Sequence, residues 1–313
     1  MKIINFEMIK GLDLPVSLWY DWADYVLKNK HLFWMPAKTC QHFGESYYNT
    51  MPSILAPEGV MGVKSINRFL NRESSVQGQL MLHDANNGEF LALMDASLIT
   101  TMRTGAVAVH SIQTFANEDF QTVGFMGFGN IGTATLDIFF DHYKNKHLHF
   151  KILKYKDHAD RVLDRYKQYK NTVFEVVDSV ERVIRDSDVI ISSITYTDRL
   201  LGEDEWFKEG CTVIPVHLRG FQNCDLFFDK VYGDDREQIR GFQYFDRFKF
   251  FAEESEYLRG EVKGRESEKE RIICYSVGLS LHDVYAASQI YKYFKDDNDA
   301  EYGELGPKGR YWL

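Results

Sequence analysis

Apolar and polar residues alternate at strand spacing through much of the first third of the chain. The segment ESYYNTMPSILAPEGVMGVKSINRF contains two extended runs joined by the turn Pro57-Glu58-Gly59. In GQLMLHDANNGEFLALMD, Asn86-Asn87-Gly88 separates two apolar runs, which predicts a hairpin. A helical stretch over 18–27 precedes them. After the hairpin the period changes: Leu98, Ile99, Met102, Ala106, Val109, Ile112 and Phe115 recur at helical spacing. They predict a helix over 96–116 with Asp95 as its cap.

From Val123 onward strands and helices alternate. TVGFM leads to a helix over 131–143, HFKILKY to one over 159–169 and TVFEVV to a short one near 180–185, before DVIISSI and CTVIPV. Such alternation predicts an α/β fold with a doubly wound parallel sheet, preceded by a mixed α+β region. Past Gly241 the alternation fades. The charged stretch RGEVKGRESEKERI reads as solvated surface, and CYSVGLSLHDVYAASQIYKYF as a short apolar run entering a final amphipathic helix.

Composition narrows the functional classes. The 313 residues allow two domains, 44% of them are hydrophobic, and no apolar run approaches the roughly 20 residues of a membrane span. A net charge of −9 argues against a nucleic acid as the main partner. The start, MKIINFE, has no signal-peptide core, so a cytoplasmic protein is expected. The four cysteines show no C-x-x-C pair and no histidine at ligand spacing, so buried, reduced thiols and no metal site are expected.

Candidate chemistry centres on VGFMGFGNIG. Gly127, Gly129 and Gly132 have G-x-G-x-x-G spacing between a predicted strand and a predicted helix, with Asn130 and Ile131 in the same turn. In a dinucleotide site the first glycine allows the turn, the second lets backbone approach the pyrophosphate, and the third lets helix pack on strand. The other reading is a structural turn. At the end of the next strand, where an acid would take a ribose hydroxyl, stand Lys154 and Lys156. They favour a 2′-phosphate and so NADP(H) over NAD(H), unless Asp157 turns inward.

Upstream, MPAK, GVKS, SSVQGQLML and ITTMRTGA each set a cation or hydroxyl beside an apolar run. Lys64 falls in an apolar strand and Arg103 on a largely apolar helix. A buried cation needs an anion, either a structural partner or a substrate. These segments, followed by the glycine motif and by Gly278-Leu279-Ser280-Leu281-His282-Asp283, resemble the ornithine cyclodeaminase/mu-crystallin family over essentially the whole chain.

The resemblance implies a Rossmann domain over 118–276 inserted into a substrate-binding and dimerisation domain of 1–117 with 277–313, in a homodimer. It implies hydride transfer between a nicotinamide and the carbon of an amino or imino acid. Arg103 matches the carboxylate-binding arginine and Lys64 the lysine near the reacting carbon; Lys38 stands where a second arginine is usual, and Ser75 where a threonine is. Thr104 joins the implied cofactor contacts. Asp283 is expected at the nicotinamide end or as a helix cap.

One position departs. Counting back from Asp225 puts Arg219 where family cyclodeaminases carry an aspartate, with His217 two residues earlier. An arginine cannot act as a base near neutrality, which weakens cyclodeamination more than hydride transfer. Asp225 or His217 could replace the aspartate, or Arg219 could bind a second carboxylate. The leading expectation is therefore an NAD(P)-dependent oxidoreductase of a C–N bond, an imine or ketimine reductase or an amino-acid dehydrogenase. An ornithine cyclodeaminase and an NADPH-binding protein of little activity are the alternatives.

Overall fold

A computed structural model describes residues 2–194, 197, 199–217, 220–296 and 309. The chain divides into two compact units, one formed by residues up to Arg103 and from Leu279 on, the other by Thr104–Gly278.

The first unit is built on a six-stranded sheet. Its strands are β1 (Lys2–Ile4), β2 (Thr39–Phe43), β3 (Ser46–Leu55), β4 (Val60–Arg68), β5 (Val76–Asp84) and β6 (Phe90–Asp95), in the order β1-β6-β5-β4-β3-β2. The pairings from β2 to β6 are antiparallel, and β1 adds in parallel. The β5–β6 turn is held by its own side chains: Asp84 accepts from the Asn86 N–H and Asn87 from the Glu89 N–H. Neither β1 nor α1 (Phe6–Gly11) was expected; both are short, and Asn5 starts the helix by accepting the Met8 N–H at 2.9 Å. Helix α2 (Val16–Asn29) covers the stretch read as helical, and α3 (Ser97–Phe115) follows β6. Asp95 accepts the Ser97 N–H at 2.8 Å, the predicted capping contact. The division between the units falls inside α3.

The second unit carries eight parallel strands: β7 (Thr122–Met126), β8 (Leu148–Leu153), β9 (Thr172–Val177), β10 (Val189–Ser192), β11 (Thr212–Pro215), β12 (Lys230–Gly233), β13 (Phe251–Glu253) and β14 (Ile272–Tyr275). The order β13-β12-β14-β11-β10-β7-β8-β9 places β7 inside the sheet, with β8 and β9 to one side, β10 and β11 to the other, and β14 inserted between β11 and β12. Helices α4 (Asn130–His142), α5 (His158–Tyr166), α6 (Val180–Ile184), α7 (Arg236–Ile239) and α8 (Glu254–Leu258) connect them. The central strands are apolar because both faces are covered: Val189, Ile190, Ile191, Val213 and Ile214 have no exposed surface. The alternation does not end at Gly241. Strands β13 and β14 continue the sheet, and their three or four residues are too few to show a period among the polar loops.

The first unit is completed by α9 (Ser280–Phe294), whose Ser280 hydroxyl donates to the Pro52 carbonyl of β3 at 2.9 Å. All four cysteines are free; Cys211, Cys224 and Cys274 are buried, but Cys40, contrary to expectation, is exposed on the edge strand β2. Among the described residues no helix is long and apolar enough to cross a membrane.

Candidate active site

The glycine turn has the geometry its spacing implies. Strand β7 ends at Met126, Gly127 follows with φ 93°, and α4 begins at Asn130 with Gly129 as its N-cap. A side chain at Gly127 would be strained, and its Cβ would lie 2.4 Å from the Ser193 carbonyl carbon. At Gly132 a Cβ would lie 2.0 Å from the Gly127 carbonyl oxygen, so only glycine allows α4 to pack this close to the turn. Because the cap is a glycine, no side chain competes for the first N–H groups of α4. Those groups, with Asn130 and Ile131 in the first turn, suit a pyrophosphate. The residues present fit a dinucleotide.

Beyond β8, Lys154 and Lys156 are both exposed, and the Lys154 N–H donates to the Val177 carbonyl at 2.7 Å. The Asp157 carboxylate pairs with Arg161 on α5 at 2.8 Å. The carboxylate that could have favoured an unphosphorylated ribose is thus engaged along its own helix.

In the first unit the sheet register builds a cluster of charge. Lys64 on β4 lies between Met51 of β3 and Leu80 of β5, all three buried on one face. The Lys64 ammonium donates to Asp283 Oδ2 at 2.6 Å and to the Thr100 hydroxyl at 3.3 Å. Arg103 Nε donates to the other oxygen of Asp283 at 3.0 Å, so one carboxylate holds two cations. Burial pushes the Lys64 pKa down from 10.5 to about 7, and Arg103 adds to the shift, while Asp283 opposes it. At neutral pH this amine can hold or release a proton. The Arg103 Nη1 is buried and has no hydrogen-bond partner among the described residues. An unpaired guanidinium nitrogen in a buried position suits an incoming carboxylate.

The other expected residues are placed as follows. Lys38 is half-buried just before β2, and its charge is felt at Lys64, where it favours the neutral amine. Ser75 is half-buried in the loop before β5, where its carbonyl accepts the Phe69 N–H at 2.9 Å. Thr104 is buried on α3, next to Arg103. Asp283 does not cap α9, because its carboxylate is turned to Lys64 and Arg103. Arg219 lies outside the described residues.

Sequence reasoning missed Thr100 as a Lys64 partner, although it lies in the quoted ITTMRTGA one helical turn before Arg103. In the second unit, Asp225 is buried and its Oδ1 accepts from the Tyr275 hydroxyl at 2.5 Å; burial raises its pKa to about 7. The His217 ring shares a hydrogen bond with the Ser192 hydroxyl at 2.7 Å.

Comparison with known proteins gives the fold and the family. N-((2S)-2-amino-2-carboxyethyl)-L-glutamate dehydrogenase of Staphylococcus aureus is 25% identical over 270 residues, 79% of each chain. Among solved structures, an archaeal alanine dehydrogenase dimer with bound NAD superposes with a TM-score of 0.81 at 21% identity, covering 95% of this chain and 97% of that one. The Δ1-pyrroline-2-carboxylate reductase of Thermococcus litoralis, in complex with NADH and L-proline, gives 0.80 at 19% identity, covering 94% and 97%. The family model for ornithine cyclodeaminase/mu-crystallin matches residues 19–298. With that match spanning both units, the chain belongs to the ornithine cyclodeaminase/mu-crystallin family.

Proposed function

We propose that the chain is an NAD(P)-dependent oxidoreductase that reduces the C=N bond of an imino acid, the reverse oxidation of the amino acid being its other direction. The observation that carries this reading is the buried Lys64, with a pKa near 7, beside an arginine whose Nη1 has no partner among the described residues. Reduction adds one hydride to carbon and one proton to nitrogen. The nicotinamide, when bound, supplies the hydride. Lys64 in its ammonium form donates the proton, Arg103 with Lys38 anchors the substrate carboxylate, and Ser75 adds a hydroxyl contact. Asp283 is a positioning residue: its two oxygens fix both cations and offset one of their two charges in a buried site.

The pyrophosphate would rest on Gly127, Gly129, Asn130, Ile131 and Gly132, with Thr104 contributing from α3. Lys154 and Lys156 would bind a 2′-phosphate, and the engagement of Asp157 by Arg161 supports NADPH over NADH. The first unit would also carry the contact of a homodimer, the assembly in which the related alanine dehydrogenase is described.

The test is nicotinamide absorbance during incubation of NADPH with a panel of cyclic ketimines and mixtures of 2-oxo acids with amines. Stoichiometric loss of NADPH with at least one imine is expected. L-Ornithine with catalytic NAD runs alongside; ammonia release there, with no imine reduced, would overturn the reductase reading in favour of a cyclodeaminase.

A further inference from the structure

The Lys64 face of the sheet continues past the charge cluster. Residues directly opposite one another on paired strands share a face. The register sets Asn49 opposite Ile66 and Tyr47 opposite Arg68, in line with Met51 opposite Lys64. At about 3.3 Å per residue, Arg68 lies roughly 13 Å along β4 from Lys64, with Asn49 beside the midpoint. On β2, Cys40 stands opposite Asn49 and His42 opposite Tyr47.

Three features of this strip call for a ligand with an anionic end. Asn49 is 8% exposed, and its buried Oδ1 has no hydrogen-bond partner among the described residues. A buried carboxamide oxygen without a partner is costly, and the amide's orientation can be reversed to offer N–H groups. The Arg68 guanidinium lies over the Tyr47 ring at 5.0 Å, with one nitrogen donating to the Glu45 carbonyl at 2.6 Å. The strip is also a zone of positive charge. Burial raises the Tyr47 pKa while Arg68 and then Arg103 pull it back; burial raises Cys40 while Lys38 and Arg68 oppose it. The strip and the Lys64 cluster lie on the same face of β3 and β4. An amine at the far end would be repelled there.

We propose that Arg68, Tyr47 and Asn49 form a distal subsite for a second carboxylate, so that the substrate is a dicarboxylic imine. This rests on the reductase reading above. Arg103 holds the carboxylate next to the reacting carbon, and Arg68 holds one several bonds away, with the Asn49 amide and the Tyr47 hydroxyl as additional donors. The second carboxylate comes either from the 2-oxo acid or from the amino compound condensed with it.

The experiment compares kcat/KM with NADPH for three imine mixtures: 2-oxoglutarate with ammonia, 2-oxopentanoate with glycine, and 2-oxopentanoate with ammonia. One of the two dicarboxylic mixtures is expected to exceed the monocarboxylic one by about 30-fold, or about 2 kcal/mol; which of them does so identifies the source of the carboxylate. In R68M this ratio should fall to near one. Because Arg68 also ties down the Glu45 carbonyl, N49D serves as a second variant, placing a negative charge where the carboxylate would sit; the ratio should fall there as well. Equal or better reduction of the monocarboxylic imine by the wild type, or an unchanged ratio in both variants, overturns the subsite and leaves the reductase reading standing. If no imine consumes NADPH, the reductase reading fails, and the subsite is judged by thermal shift with glutarate against pentanoate: stabilisation by glutarate in the wild type but not in R68M supports it, and equal shifts overturn it.

Discussion

As proposed, the two units would hold anions by opposite means. At the glycine turn the donors would be backbone N–H groups, and the requirement on sequence is that side chains be absent at Gly127 and Gly132. In the first unit the groups would be buried charged side chains, and each depends on the others: Lys64 and Arg103 share the Asp283 carboxylate. The first design tolerates variation in everything except space. The second fails when any one charge is removed, because the remaining ones are left buried without a partner.

The largest expected effect follows from the side-chain design. K64M should lower imine reduction by about 10³-fold, within the range for loss of a proton donor, while NADPH binding, read by fluorescence, persists in the other unit. In the wild type kcat/KM for reduction should fall above about pH 7, where Lys64 loses the proton it must donate. Turnover by K64M within tenfold of wild type would remove its catalytic role.

The backbone design makes the converse prediction. G132A, with a Cβ 2.0 Å from the Gly127 oxygen, should weaken NADPH binding by about 100-fold, or about 3 kcal/mol, while the Lys64 cluster stays intact. Unchanged affinity would mean that the turn does not hold the dinucleotide.

A smaller effect tests a buried acid that has no cationic partner among the described residues. The folded-state pKa of Asp225 is about 7 against 3.8 for the free group, so between about pH 4 and 7 the folded chain keeps a proton that the unfolded chain has released. Stability from this group therefore falls as pH rises through that window. D225N, which still accepts from Tyr275, should flatten that slope and raise stability at pH 8 by about 2 kcal/mol, counting roughly half of the shift at 1.36 kcal/mol per unit. Thermal melts at pH 5 and pH 8 measure it. Smallest, K154E should reduce the preference for NADPH over NADH by about tenfold, in line with one exposed phosphate contact; a preference unchanged in kinetics with both cofactors would detach Lys154 from the 2′-phosphate.

The same contrast explains what could be read from sequence. The glycine turn is local: strand, turn and helix lie within twenty residues, so spacing alone announced it. The β5–β6 hairpin and α3 were legible for the same reason, through Asn86-Asn87-Gly88 and the apolar positions from Leu98 to Phe115. The Lys64 cluster is not local. Asp283 lies 219 residues from Lys64, and nothing in either segment announces the other. Family resemblance brought Lys64, Arg103 and Asp283 forward as candidates, but not the role of Asp283 as the carboxylate that the two cations share. Asn49 escaped notice because an asparagine in a strand carries no signal until the register shows what it faces. Strands β12 and β13 were missed because KVYG and FAE carry no continuous apolar run of the kind that made β10 and β11 legible at similar length.

The split composition of the first unit has a consequence during synthesis. Lys64 and Arg103 leave the ribosome early, whereas Asp283 follows only after the whole of Thr104–Gly278 has been made. At about 5–20 residues per second, that interval lasts on the order of 10–40 seconds. Throughout it, closing the sheet over Lys64 would bury the amine without its carboxylate, which favours the neutral form further. A chain ended before α9 would leave Lys64 and Arg103 without the anion they share.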